Sequence, residues 1–122
     1  MLHAGSYEGR IDTRVLDLNT RTWTVLDPTP IDAGSAVMYA PDKFMKAGKW
    51  ANSEAPYTSA HANVYVLDLV DPQPRWRQTA PMNFARAYNV LTLLPDGTTL
   101  ATGGSLSTDP ADTGQGGVGA EV

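Results

Sequence analysis

The feature that most limits what this chain can fold into is an internal repeat. Val15-Leu16-Asp17-Leu18-Asn19-Thr20-Arg21-Thr22-Trp23 returns in outline as Val66-Leu67-Asp68-Leu69, with Trp76 closing the second copy. The two aspartates lie 51 residues apart and the two tryptophans 53. A turn of small residues precedes each copy, Ala4-Gly5-Ser6 and then Ala47-Gly48-Lys49. A third such turn, Thr102-Gly103-Gly104-Ser105, leads towards the opening of a third copy at Gly119-Ala120-Glu121-Val122. A period of about 40–55 residues built from several short strands points to a β-propeller or another stacked β array. One such unit cannot bury both faces of its sheet by itself. About two units are therefore expected to belong to something larger.

Composition narrows the partners. The chain has 122 residues, 42% of them hydrophobic, and a formal charge of −4. Its nine basic residues are scattered and leave no electrostatic footprint for nucleic acid. No apolar run approaches the roughly 18 residues that would span a bilayer. Neither nucleic acid nor membrane is an expected partner. His3, Ser6, Glu8 and Arg10 interrupt any signal-peptide pattern at the start, which says nothing about secretion if that start is internal to a longer gene. There is no cysteine, so a disulfide frame, a thiolate metal site and a cysteine nucleophile are all excluded within this segment.

Strand signals dominate, and no stretch carries the 3.6-residue apolar period of a long helix. Residues 13–18 and 63–69 are aliphatic or β-branched runs ended by turn formers, and Trp23 and Trp76 open the strands expected at 22–26 and 75–79. Val64, Tyr65, Val66 and Leu67 place apolar side chains on both faces, as a sheet covered on both sides requires. Two hairpins turn at Pro41-Asp42 and at Pro95-Asp96-Gly97, where proline presets one corner and Gly97 supplies a positive φ. The fold class that follows is all-β: a partial propeller of about two four-stranded antiparallel blades. Residues 1–30 would end one blade, 31–82 would make a full one, and 83–122 would start a further one.

Two longer connections break this economy, residues 49–62 and 106–119. Both follow the second strand of a hairpin, so in a propeller they leave from the same end of successive blades. Loops of that length in a compact array are functional or disordered. Their shared face is where a site is expected.

Three stretches, taken together, resemble the kelch-type propeller of the galactose oxidase and glyoxal oxidase family, the radical-copper oxidases. They are Ala33-Gly34-Ser35-Ala36-Val37-Met38-Tyr39, Met82-Asn83-Phe84-Ala85-Arg86-Ala87-Tyr88, and Thr92-Leu93-Leu94-Pro95-Asp96-Gly97 running to Thr102-Gly103-Gly104-Ser105. The resemblance covers nearly the whole chain and is similar in order to the family's middle blades. It implies a parent that oxidises primary alcohols or aldehydes, reduces dioxygen to hydrogen peroxide, and works outside the cytoplasm, in an extracellular or periplasmic setting. It also implies copper for that parent, held by tyrosines and histidines and assisted by a tyrosine joined to a cysteine. The family's Arg-x-Tyr-His step reads here as Arg86-Ala87-Tyr88-Asn89, without the histidine, and no cysteine is present. By order along the chain this blade precedes the one that holds the Tyr-His pair. The segment is thus expected to carry no cofactor of its own, no catalytic residue and no metal ligand, and its partners would be the remaining blades.

Each conspicuous side chain has a plainer reading beside the functional one. Tyr88 suits a half-buried blade residue whose hydroxyl meets backbone better than a metal ligand. Arg86, with five donors, suits a tie to a neighbouring blade's backbone carbonyls or an acid. The two tryptophans at matching repeat positions are expected to pack between blades. His3 and His61 lack the paired spacing of a metal site. The acids Asp32, Glu54 and Asp68 show no pairing that suggests hydrolysis. The substrate-binding candidates are Trp50, Asn52, Tyr57 and His61, on the loop that the resemblance assigns to the substrate mouth. Aromatic and amide groups there suit a carbohydrate or a small alcohol or aldehyde. The competing reading is a non-catalytic kelch-repeat propeller that binds carbohydrate or protein.

Overall fold

A computed structural model describes residues 1–3, 12–29, 31, 33–49, 56, 58–109 and 119–122. These residues form β-strands, turns and irregular connections, with no helix among them. Three antiparallel sheets follow one another along the chain. The first holds β1 (Leu2–His3), β2 (Thr13–Asp17) and β3 (Thr22–Asp27) in that spatial order. The second holds β4 (Ser35–Ala40), β5 (Lys43–Ala47), β6 (Val64–Asp68) and β7 (Arg77–Thr79), again in sequence order. In the third, β8 (Val90–Leu93) pairs with β9 (Thr99–Thr102), and Glu121 bridges to Ala101 on the far side of β9. The chain is all-β and builds part of a propeller-like array, with one complete four-stranded unit in the middle.

The repeated Val-Leu-Asp-Leu phrase has a local reason. Its valine and leucine suit a pleated, covered strand, and its aspartate ends that strand. Asp17 accepts backbone N–H groups from Asn19 at 2.8 Å and Thr20 at 3.2 Å. Asp68 does the same for Val70 at 3.0 Å and also pairs with Lys43 across β5 and β6. Such turns let a short carboxylate replace ladder bonds as the chain reverses. The expected turn at Gly97 is present, with φ of +87°.

Trp76 joins the first sheet to the second. Its indole N–H donates to Thr13 Oγ1 at 2.7 Å, and its backbone N–H donates to Asp27 Oδ2 at 2.9 Å. That second bond draws Trp76 out of the ladder, so β7 begins at Arg77 rather than at residue 75. The Arg75 guanidinium donates to the Leu26 carbonyl beside it. Burial raises the Asp27 pKa, but the N–H groups of Trp76 and Thr29 outweigh it and leave the carboxyl below its ordinary value. Lys46 lies against the same contact, its Nζ 5.1 Å from the Trp76 ring centroid. Burial pushes this ammonium down to a pKa of about 8. Trp23, at the matching repeat position, is 48% exposed and meets the His3 ring edge-on at 6.2 Å.

The second and third sheets meet through β4 and β8. Ala47, Val64, Leu91 and Ala101 form a buried cluster there, with Val37, Met45 and Met82 against it. Leu91 N–H donates to Ser35 Oγ at 3.1 Å across the contact. An apolar cleft of about 320 Å3 remains between these sheets, lined by Met45, Val64, Met82 and Val122 among others.

Two expectations follow from the first interface. Trp76→Ala should cost about 3 kcal/mol in urea unfolding of this chain, while Trp23→Ala should cost about 1 kcal/mol or less. Equal losses would mean that the two repeat positions are equally buried. The Lys46 ammonium is harder to keep charged in the folded state than in the unfolded chain. Its penalty is complete below pH 8 and fades as the pH rises from about 8 towards the ordinary lysine value of 10.5. Stability should therefore increase over that window, by up to about 3 kcal/mol. Lys46→Met should be more stable at neutral pH and flat across the window, as read by unfolding midpoints at a series of pH values.

Candidate functional site

The two long connections meet. Thr108 N–H donates to the Thr58 carbonyl at 2.9 Å, Thr58 N–H donates to Thr108 Oγ1 at 2.8 Å, and Ala60 N–H donates to the Leu106 carbonyl at 2.8 Å. A bridge between Ser59 and Ser107 lies among these bonds. One turn of chain, residues 86–89, runs beneath both. Arg86 bridges to His61, Ala87 bridges to Ser105 on one side and Lys49 on the other, and Ala87 is fully buried. Segments far apart in sequence thus make one platform at the end of the second and third sheets.

Arg86 anchors that platform from below. It has no exposed surface, and its guanidinium donates to the Gly103 carbonyl at 2.7 Å, to Glu121 Oε1 at 3.1 Å and to the Gly119 carbonyl. Glu121 turns its other oxygen to the Asn83 N–H at 2.6 Å. Arg86 is tied to carbonyls and an acid, but all three partners belong to its own third unit and none to a neighbouring blade. A planar, always-charged fork spreads fixed donors over three nitrogens and so reaches acceptors too far apart for the single nitrogen of a lysine. Phe84 covers the assembly, with the guanidinium carbon 5.9 Å from its ring centroid.

Tyr88 and Asn89 follow directly. Tyr88 is 39% exposed, holds a left-handed φ of 58°, and donates its hydroxyl to the Thr108 carbonyl at 2.6 Å. A non-glycine residue in that region is uncommon and gathers at functional or tightly determined positions. Asn89 is 5% exposed, and both ends of its amide are buried without a hydrogen-bond partner among the described residues. It is pressed against glycines. A methyl group on Gly48 would lie 2.1 Å from Asn89 Oδ1 and 2.9 Å from the Arg86 carbonyl oxygen, and Gly48 has a φ of +77°. Only glycine meets both demands.

Of the substrate candidates, the structure places His61 on the platform, half-buried, its carbonyl accepting the Arg86 N–H at 3.1 Å. Trp50, Asn52 and Tyr57 lie outside the described residues. Residue-by-residue reading missed Asn89 and Thr108, both buried. The signal for Asn89 was its place after Tyr88, where the resembling family has a histidine. Thr108 had none, because its partner lies 50 residues away.

These residues do not fit a copper centre. Tyr88 spends its phenol proton on a backbone carbonyl, an amide follows it, and there is no cysteine in the chain. His3 sits in β1 of the first sheet while His61 lies against Arg86. Among the described residues no three side chains of His, Cys, Asp or Glu gather around one point.

No protein-family model matches the chain, and no curated protein matches it in sequence. Solved structures do match. One is described as a novel fungal alcohol oxidase with catalytic diversity among the AA5 family, in complex with copper. It superposes with a TM-score of 0.65 at 20% identity, over 85% of this chain and 22% of that one. The fold is shared. This chain spans about a fifth of that oxidase, 22% of its length.

Arg86 is the residue on which the platform should depend. Arg86→Ala would strand a buried carboxylate and two carbonyls, and should cost about 3–5 kcal/mol in chemical unfolding. Arg86→Lys should recover only a minor part of that loss. Full recovery by lysine would mean that charge alone matters there and the three-way geometry does not.

Proposed function

We propose that this chain is a scaffold segment of a galactose oxidase- or glyoxal oxidase-like propeller, and that its parent oxidises primary alcohols or aldehydes with dioxygen to give hydrogen peroxide. The observation that carries this reading is the fold shared with a copper alcohol oxidase over 85% of the chain. The order of the Met-Asn-Phe-Ala-Arg run, the Leu-Pro-Asp-Gly turn and the Gly-Gly end supports it. Copper would be held by the parent's other blades, outside this segment, and the resemblance puts that parent outside the cytoplasm, extracellular or periplasmic.

The segment's share is positional. Residues 58–61 and 105–108, tied to each other and to Arg86, would hold one side of a substrate mouth, with the exposed faces of Tyr88 and Phe84 available to a carbohydrate or small alcohol or aldehyde, while the His61 ring nitrogens are buried behind them. A polar rim with aromatic faces suits such ligands. The remaining blades are the partners this arrangement calls for. The rival reading is a non-catalytic kelch-repeat propeller that binds carbohydrate or protein. It is favoured by one observation, the Tyr88 hydroxyl held by Thr108 with Asn89 after it.

The test is a peroxide assay on the polypeptide encoded by the whole gene, loaded with copper and offered a primary-alcohol sugar and a small aldehyde. Copper-dependent peroxide that a chelator abolishes is the expected result, with none from the 122-residue chain alone. A copper-loaded gene product that makes no peroxide yet binds sugar in a calorimeter would replace this reading with the rival.

A further inference from the structure

Two neighbouring residues of the turn beneath the platform each sit in an unfavourable state. Tyr88 holds a left-handed φ of 58°, a region that a residue with a Cβ resists. Asn89 keeps both ends of its amide buried without a hydrogen-bond partner among the described residues. Buried amides are nearly always paired, and strain storage is one of the few reasons for leaving one orphaned. Strained residues persist only where the surroundings over-determine them, and they gather at switching segments. Here two such residues are consecutive.

What holds the turn lies above it. Residues 58–60 and 106–108 are stitched into one strap. Within it the Thr108 N–H donates to the Thr58 carbonyl, the Thr58 N–H to Thr108 Oγ1, and the Ala60 N–H to the Leu106 carbonyl, with the Ser59–Ser107 bridge between them. The base of the strap is fixed to the turn on both sides. Arg86 N–H donates to the His61 carbonyl at 3.1 Å, and Ala87 and Ser105 exchange two bonds of 2.8 Å. The far end of the strap meets the turn at Tyr88, whose hydroxyl donates to the Thr108 carbonyl at 2.6 Å. Thr108 thus uses its N–H and hydroxyl oxygen inside the strap and its carbonyl on Tyr88, and it is fully buried although it lies on a loop.

We infer that Tyr88 is the catch of a two-state strap. Residues 58–60 and 106–108 open together, about fixed bases at His61 and Ser105, when the Tyr88 hydroxyl leaves the Thr108 carbonyl. In the held state that bond keeps Tyr88 left-handed and Asn89 pressed against Gly48 with its amide unpaired. In the released state Tyr88 returns to an ordinary backbone region and the Asn89 amide reaches water. The two strains favour release, while the stitch and the phenol bond favour the held state. Arg86 stays where it is in both, because its guanidinium is anchored to Gly103, Gly119 and Glu121. The change is therefore confined to Tyr88, Asn89 and the strap. As a regulator of entry the strap rests on the reading of this platform as a substrate mouth. The catch itself does not, and it is measured without copper or substrate.

Hydrogen exchange of the 122-residue chain, resolved residue by residue, separates a single strap from a set of independent bonds. Amides released in one event share one opening equilibrium, so Thr58, Ala60 and Thr108 should show protection factors equal within about three-fold. Tyr88→Phe removes the hydroxyl and keeps the ring. It should lower all three by a common factor of about ten, the net worth of one hydrogen bond. The amides of Arg86, Ala87 and Ser105 at the base should keep their protection. So should Leu16 and Leu69, which donate to the Met1 and Asp42 carbonyls away from the platform. Tyr88→Gly loses ring and hydroxyl together, yet should hold the strap no worse than Tyr88→Phe, because glycine adopts a left-handed φ without penalty. A fall confined to Thr108, or no fall, would overturn the catch. A fall that extends to Leu16 and Leu69 would overturn it too, since Tyr88 would then support the whole fold. Protection lower with glycine than with phenylalanine would overturn the part given to backbone strain. Peroxide output plays no part in these readouts, so a failed oxidase reading leaves the result interpretable.

Discussion

A sheet with apolar side chains on both faces has to be covered twice, and every larger feature of this chain follows from that constraint. Val64 and Leu67 sit one on each side of β6, and both are buried. One face is closed by the first sheet through Trp76, the other by β8 and β9 through Leu91 and Ala101. The middle unit is therefore complete because it has neighbours on both sides. The interface at Trp76 also carries polar groups that a plain apolar contact would not need. Thr13 and Asp27 accept the two N–H groups of one residue, which sets the register of one sheet on the next.

Much of this was legible in the sequence, for local reasons. The Val-Leu-Asp-Leu strands could be read because an aliphatic run ended by an aspartate is a strand and its stop in a few residues. The Leu-Pro-Asp-Gly turn could be read because its glycine answers a backbone demand that holds in any context. The start of β7 was misplaced by two residues for the opposite reason. Trp76 would continue a strand by propensity, but a carboxylate on another sheet captures its N–H.

The parts that were not legible share one property, which is that their partners are distant in sequence. Nothing near Lys46 announces that it is buried under a tryptophan ring. Trp23 and Trp76 read identically, because exposure depends on the neighbour and not on the residue. The platform depends on Thr58 meeting Thr108 and Arg86 meeting Glu121, contacts across 50 and 35 residues. The need for Arg86 to be tied could be foreseen from its donors, though Glu121 as the partner could not. Asn89 could be noticed as a departure from a motif, but its packing against Gly48 could not be read, since a close approach leaves no trace in spacing.

The Arg86–Glu121 pair closes a span of 35 residues within the third unit, much as a cross-link would. In a chain with no cysteine that closure is made wholly by charge and hydrogen bonds, in a place that water and salt hardly reach. A disulfide in the same position would open and close with the thiol chemistry around it. This tie is indifferent to oxidants and reductants alike.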